Sequence, residues 1–161
     1  MNIPDIKFNK SNIENITFQG AGGKEKQIKL IFESEYVKRV NASLYDFEIE
    51  GVKIECKRQE NSNWFNYAKF HNLNNEEMNI VVLFINHKKG KIDNISAILL
   101  QDFIDLACSD SLCQKDGWNF KAISKAYITK SLYPALEYKA PVHIRKLMKN
   151  YPDKFRIFYN S

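Results

Sequence analysis

The distribution of apolar residues predicts an α/β (α+β) fold, a mixed central β-sheet flanked by helices. Three observations carry that expectation. The unbroken apolar run Ile80-Val81-Val82-Leu83-Phe84-Ile85 has the length and β-branched content of a strand buried on both faces. Residues 44–49 and 52–58 read as two strands around a Glu50-Gly51 turn. Segments of helix-compatible character, at 24–36, 62–71 and 101–108, are interleaved with the strands.

In chain order, residues 1–17 are polar with scattered Ile and Phe, and read as an arm that is mostly irregular or holds one short helix. Gln19-Gly20-Ala21-Gly22-Gly23 is a Gly-rich loop. Ile28, Leu30, Ile31 and Phe32 then give the segment from Lys24 to Tyr36 an apolar helical face. After the hairpin, Ser62 or Asn63 is placed to cap a helix reaching about His71. The strand at 79–86 turns through His87-Lys88-Lys89-Gly90-Lys91 into another at 92–99, and 101–108 is a short helix. Residues 109–142 show no dominant period. Pro141 suits the first position of a helix running to about Lys149. Phe155-Arg156-Ile157-Phe158-Tyr159 closes the chain as a strand. The length, 161 residues, fits one domain, with an arm (1–17), a core (18–99) and a basic C-terminal part (100–161).

Charge is distributed unevenly along that domain. Residues 1–110 carry 14 basic and 16 acidic side chains, whereas residues 111–161 carry 10 and 3. A net charge of +5 is only mildly basic for this length, but its concentration in the last third calls for an anionic partner. The composition excludes an acidic, disordered chain. No apolar run approaches the roughly 18 residues that span a bilayer. Met1-Asn2-Ile3-Pro4-Asp5 lacks the basic and apolar regions of a secretory signal. Three cysteines, Cys56, Cys108 and Cys113, fit a reducing compartment better than a disulfide framework, so a cytoplasmic location is expected. Cys108 and Cys113 lack a neighbouring His and have poor spacing for zinc.

The hairpin holds the chemistry. A two-residue turn at Glu50-Gly51 pairs Ile49 with Val52, Glu48 with Lys53 and Phe47 with Ile54, and by extension sets Asp46 opposite Glu55. Alternation puts Lys53, Glu55 and Lys57 on one face and Val52, Ile54 and Cys56 on the other. Two carboxylates placed across a strand pair repel and require a compensating cation or a raised pKa. A hard divalent ion with oxygen ligands meets that need. Lys57 then lies where it can orient a water or steady developing negative charge. This is the equipment that phosphodiester hydrolysis requires.

Asp46 followed by Glu55-x-Lys57 resembles the PD-(D/E)XK nuclease superfamily. Within it, the segment Phe18-Gln19-Gly20-Ala21-Gly22-Gly23-Lys24, ahead of that hairpin, resembles the PvuII-like type II restriction endonucleases. Ala68-Lys69-Phe70-His71, the strand Ile80 to Ile85, Ala140-Pro141-Val142 and the aromatic ending Ile157-Phe158-Tyr159 extend the likeness over roughly residues 18–161. It is strong around 18–57 and thin from 100 to 135. The resemblance implies a restriction-endonuclease-like core and a Mg²⁺-dependent type II restriction endonuclease, with Mn²⁺ able to substitute. It implies double-stranded DNA as substrate, a specific palindromic site, a homodimer, and a cognate DNA methyltransferase acting on the same site. Asp46 and Glu55 would hold the metal, and Lys57 would assist the attacking water. Three departures stand out: the arm is short, Gly20 replaces an acidic loop residue, and Phe70 replaces an active-site tyrosine. The connection after Lys57 is also shorter and lacks a His-rich base-reading stretch.

Further candidates surround this centre. Gln19 and Lys24, on the Gly-rich loop, are placed to reach phosphate or base edges. That loop fails the Walker pattern, since Phe18 stands where the first Gly belongs and Glu25 where Ser or Thr belongs. Arg58-Gln59-Glu60-Asn61-Ser62-Asn63 follows the catalytic strand as a base-reading loop or a polar connection with an N-cap; Asn and Gln can bond adenine and Arg can bond guanine, which makes Arg58, Asn61, Ser62 and Asn63 candidates. Glu25, Glu33 or Glu35 would complete a metal shell, or serve as solvated charges. Two other readings stand beside the restriction enzyme: a Holliday-junction resolvase or repair nuclease of the same superfamily, and a non-catalytic DNA-binding protein that keeps the hairpin as scaffold.

Overall fold

Two tight turns frame the central sheet. In both, consecutive residues take left-handed backbone angles: Glu50 and Gly51 at φ 49° and 84°, Lys89 and Gly90 at 52° and 81°. Such pairs make the turns whose twist matches that of the strands they join. The computed structural model describes residues 2–18, 25–33, 37–39, 45–60, 63–66, 79–109, 113–116, 119–122, 128–130 and 136–161.

The elements are α1 (Lys10–Asn15), α2 (Glu25–Leu30), β1 (Val37–Arg39), β2 (Phe47–Ile49), β3 (Val52–Gln59), β4 (Asn63–Asn66), β5 (Ile80–Lys88), β6 (Lys91–Leu99), α3 (Leu100–Ser109), β7 (Cys113–Asp116), β8 (Asn119–Ala122), β9 (Ile128–Lys130), β10 (Leu136–Val142), α4 (Ile144–Asn150) and β11 (Arg156–Asn160). A six-stranded sheet runs in the order β1-β2-β3-β5-β6-β11. Only β3 and β5 pair in parallel, so the sheet is mixed as expected. A β4-β10-β9 sheet and a β7-β8 pair lie outside it.

β5 is the axis of the core. Seven consecutive residues from Ile80 to Asn86 are buried, because the sheet is covered on both sides. On one side, Val81, Leu83 and Ile85 join Phe47, Ile54, Ile95 and Ala97 beneath Ile6, Ile13, Ile16, Phe18, Ile31 and Phe32 from the N-terminal segments. On the other, Phe84 meets Phe103 of α3 with ring centroids 5.7 Å apart. Burial of each such side chain stabilises the fold by about 1.5–3 kcal/mol. The arm is tied down at both ends. The Asn9 side chain caps α1 by accepting from the Asn12 N–H at 3.0 Å, and Arg156 of β11 donates to Asp5 at 2.8 Å.

Several elements differ from expectation. The helix expected over 24–36 stops at Leu30, since Phe32 leaves it to bridge Phe8; Val37–Arg39 then forms a strand at the sheet edge. The helix expected from Ser62 is replaced at Asn63–Asn66 by β4, paired with β10. Pro141 lies within β10 opposite Trp64 rather than opening a helix, and α4 begins at Ile144. In each case long-range pairing overrides a local preference. The strands and helix at 80–88, 91–99, 100–109 and 156–160 fall where the sequence places them. Among the described residues, no helix is long and apolar enough to cross a membrane.

Candidate active site

β3 presents two unlike faces. Val52, Ile54 and Cys56 pack on the N-terminal core, and Arg58 continues that face with its guanidinium 4.8 Å from the centre of the Phe18 ring. Alternation sends Lys53, Glu55, Lys57 and Gln59 to the other face. There the parallel neighbours on β5 are Val82 beside Glu55, Phe84 beside Lys57 and Asn86 beside Gln59. Glu55 is buried, and the Lys57 ammonium lies 3.8 Å from its Oε1, with a quarter of the lysine side chain still in solvent. A buried carboxylate needs such a partner, because desolvation penalises its charge.

Asp46 reaches the same strand by a different route from the one expected. The β2–β3 ladder pairs Ile49 with Val52, Glu48 with Lys53 and Phe47 with Ile54, as the turn predicts. It then ends. The Asp46 N–H donates to the Ile54 carbonyl at 2.9 Å, and the Cys56 N–H donates to Asp46 Oδ2 at 2.9 Å. The expected cross-strand pair of Asp46 with Glu55 is therefore replaced by a carboxylate folded over the end of the ladder onto Cys56. Burial pushes the Cys56 thiol well above its ordinary pKa, and the charges of Asp46 and Glu55 push it further. Both effects favour the protonated thiol over the nucleophilic thiolate.

The structure brings together Glu55 and Lys57, and ties Asp46 to the backbone of Cys56, the residue between them. Arg58 is separated from them by the strand itself, on the Phe18 face. Gln19, Lys24, Asn61 and Ser62 lie outside the described residues, as do Glu35 and Phe70. Asn63 is placed by its backbone in β4, opposite Val142. Glu25 opens α2. Glu33 lines a cavity of about 370 Å³ with Asp5, Lys7, Ile49, Glu50 and Val52, at the turn end of the hairpin and away from Glu55. Among the described residues, no cluster of three His, Cys, Asp or Glu side chains is placed to share a metal ion. The carboxylates of Asp46 and Glu55 are hard oxygen donors, the ligand type that suits Mg²⁺ or Mn²⁺.

Gln59, expected within a base-reading connection, instead ends β3 and extends the Glu55–Lys57 face. Beside it, Asn86 Nδ2 donates to Asn94 Oδ1 at 2.8 Å, and Asn94 Nδ2 donates to Asn160 Oδ1 at 2.9 Å. That row of amides crosses three strands and had no sequence signal without the strand order.

Compared with family models, with curated proteins and with solved structures, the chain shows no match.

Proposed function

We propose that this protein is a Mg²⁺-dependent endonuclease that hydrolyses phosphodiester bonds of double-stranded DNA at a specific palindromic site. In this reading it acts as a homodimer, each subunit cutting one strand, alongside a methyltransferase that protects the same site. The observation that carries the proposal is the placement of Glu55 and Lys57 on one face of β3, 3.8 Å apart, with the Asp46 carboxylate hydrogen-bonded to Cys56 between them.

Asp46 and Glu55 would hold the metal, which supplies polarisation of the phosphate and a more acidic bound water. The chain's own contribution is the fixed charge of Lys57. Its partly exposed ammonium reaches the outer side of the Glu55 carboxylate, where it can steady negative charge on the phosphate. In the net reaction the oxygen of water bonds to phosphorus and the bond from phosphorus to a sugar oxygen breaks. One water hydrogen ends on the leaving hydroxyl, and the other remains with the new phosphate monoester or passes to solvent.

Digestion of a mapped plasmid with Mg²⁺, followed by sequencing of the ends, tests the proposal. Discrete fragments from the wild type, and none from Asp46→Asn, Glu55→Gln or Lys57→Ala, are the expected result. Full cleavage by all three variants overturns it. Arg58 gives specific support to a second reading, because packing on Phe18 takes one candidate base reader off the catalytic face. A junction resolvase or repair nuclease of the same superfamily needs no such reader. Preference for a four-way junction over linear duplex would select it.

A further inference from the structure

Gln59 is 3% exposed, as Glu55 is, and the two flank Lys57 along one face of β3. Neither Gln59 Oε1 nor Gln59 Nε2 has a hydrogen-bond partner. Its in-register neighbour on β5, Asn86, is fully buried. The Asn86 amide nitrogen is spent on Asn94, while its Oδ1 is unpartnered. Asn94 is anchored in turn by Asn160. Buried amides are rarely left in this state, and an unpartnered one in a folded protein marks a bound water, an ion or a functional role.

The inventory identifies the guest. Two acceptors, Gln59 Oε1 and Asn86 Oδ1, and one donor group, Gln59 Nε2, are unpartnered on residues that pair in register on adjacent strands. A phosphate oxygen would satisfy only the donor. A water molecule can donate both hydrogens to the two carbonyl oxygens or accept from the amide, and such sites normally give a buried water about three bonds. The Asn86–Asn94–Asn160 row holds one of those acceptors still.

We propose that Gln59 is a positioning residue of the hydrolytic site: with Asn86 it holds and orients the water that attacks phosphorus beside Lys57. This rests on the nuclease reading above and deepens it. The amides bind the water through its hydrogens and so leave an oxygen lone pair directed away from them. The oxygen of that water becomes the new oxygen on phosphorus as the bond to the leaving sugar oxygen breaks; one of its hydrogens ends on the leaving hydroxyl and the other on the new phosphate monoester or in solvent.

The test uses Gln59→Met, which keeps the volume and removes the amide. If the amide were only an unpaired polar group in the core, replacing it with an apolar side chain would be neutral or stabilising and would leave catalysis alone. The expected result is a melting temperature at or above that of the wild type, duplex affinity in Ca²⁺ within about twofold, and kcat lower by about tenfold or more at unchanged KM. Gln59→Leu is read in the same way should the methionine variant fold poorly. Wild-type kcat in either folded variant overturns the proposal. If the wild type still cuts in that case and Glu55→Gln does not, the nuclease reading survives. No Mg²⁺- or Mn²⁺-dependent cleavage by the wild type on plasmid or junction overturns both.

Discussion

Arg145 donates from Nη1 and Nη2 to the two carboxylate oxygens of Asp93, at 2.7 and 2.9 Å. Asp93 is the extra residue where the β5–β6 register shifts, and Arg145 is in the first turn of α4. The same guanidinium donates to the Glu60 carbonyl at 3.0 Å and to the His87 carbonyl at 3.3 Å. One side chain thereby binds α4 to the ends of β3 and β5 and to the bulge in β6. This alters the reading of the basic C-terminal part: the Arg145 charge is paired with Asp93, so in the proposed DNA complex contacts to phosphate would fall to other basic residues.

Arg145→Lys is expected to lower stability by about 1–2 kcal/mol, because a single ammonium cannot reproduce the forked contact. Partial exposure, 30% for Arg145 and 19% for Asp93, keeps the figure well below that of a fully buried pair. Urea unfolding of Arg145→Lys against the wild type checks it, and Arg145→Ala, Asp93→Ala and their double variant measure the coupling. The double variant should cost less than the sum of the singles.

Asp46 has a structural task besides the metal-holding one proposed for it, since its Oδ2 accepts the Cys56 N–H. Asp46→Asn retains an acceptor and should leave stability within about 0.5 kcal/mol of the wild type, whereas Asp46→Ala should cost about 1 kcal/mol. Both should abolish cleavage. Thermal melts alongside the plasmid assay separate loss of chemistry from loss of fold.

Gly51 and Gly90 occupy matching places in their turns but differ in surroundings. An added Cβ at Gly51 meets nothing within 4 Å, so Gly51→Ala carries only the left-handed backbone penalty, about 1–2 kcal/mol. At Gly90 it would collide with the Phe18 carbonyl oxygen, which the turn approaches because the Phe18 N–H donates to the Gly90 carbonyl. Gly90→Ala should therefore lower the melting temperature clearly more than Gly51→Ala.

Burial lowers the pKa of His87 below its ordinary 6.5, and the nearby Arg58 and Arg145 charges lower it further, against the opposing pull of Glu60 and Asp93. The folded protein therefore resists protonation at a pH where the unfolded chain accepts it. The stability associated with neutral His87 is present above about pH 6.5 and is lost as pH falls toward the folded-state value. His87→Gln should flatten this part of the profile between pH 5 and 7, read by urea unfolding across that range.

The hairpin was legible in the sequence because its information is local. Glu50-Gly51 sets the turn, the turn sets the register from Ile49–Val52 to Phe47–Ile54, and alternation puts Glu55 and Lys57 on one face. The core strand was legible for the same kind of reason, since six apolar residues in a row can only be covered on both sides. What the tertiary structure alone decided lies beyond that local range. The ladder stops at Phe47, so Asp46 folds onto Cys56 rather than standing opposite Glu55. Val37–Arg39, Asn63–Asn66 and the segment around Pro141 are strands because distant partners offer them hydrogen bonds. The Gln59–Asn86 juxtaposition exists only because β5, some twenty residues further on, returns parallel to β3. Turn geometry and side-chain alternation act over a few bonds and can be read from the chain; the pairing of remote strands depends on which buried surfaces the whole molecule can bring together.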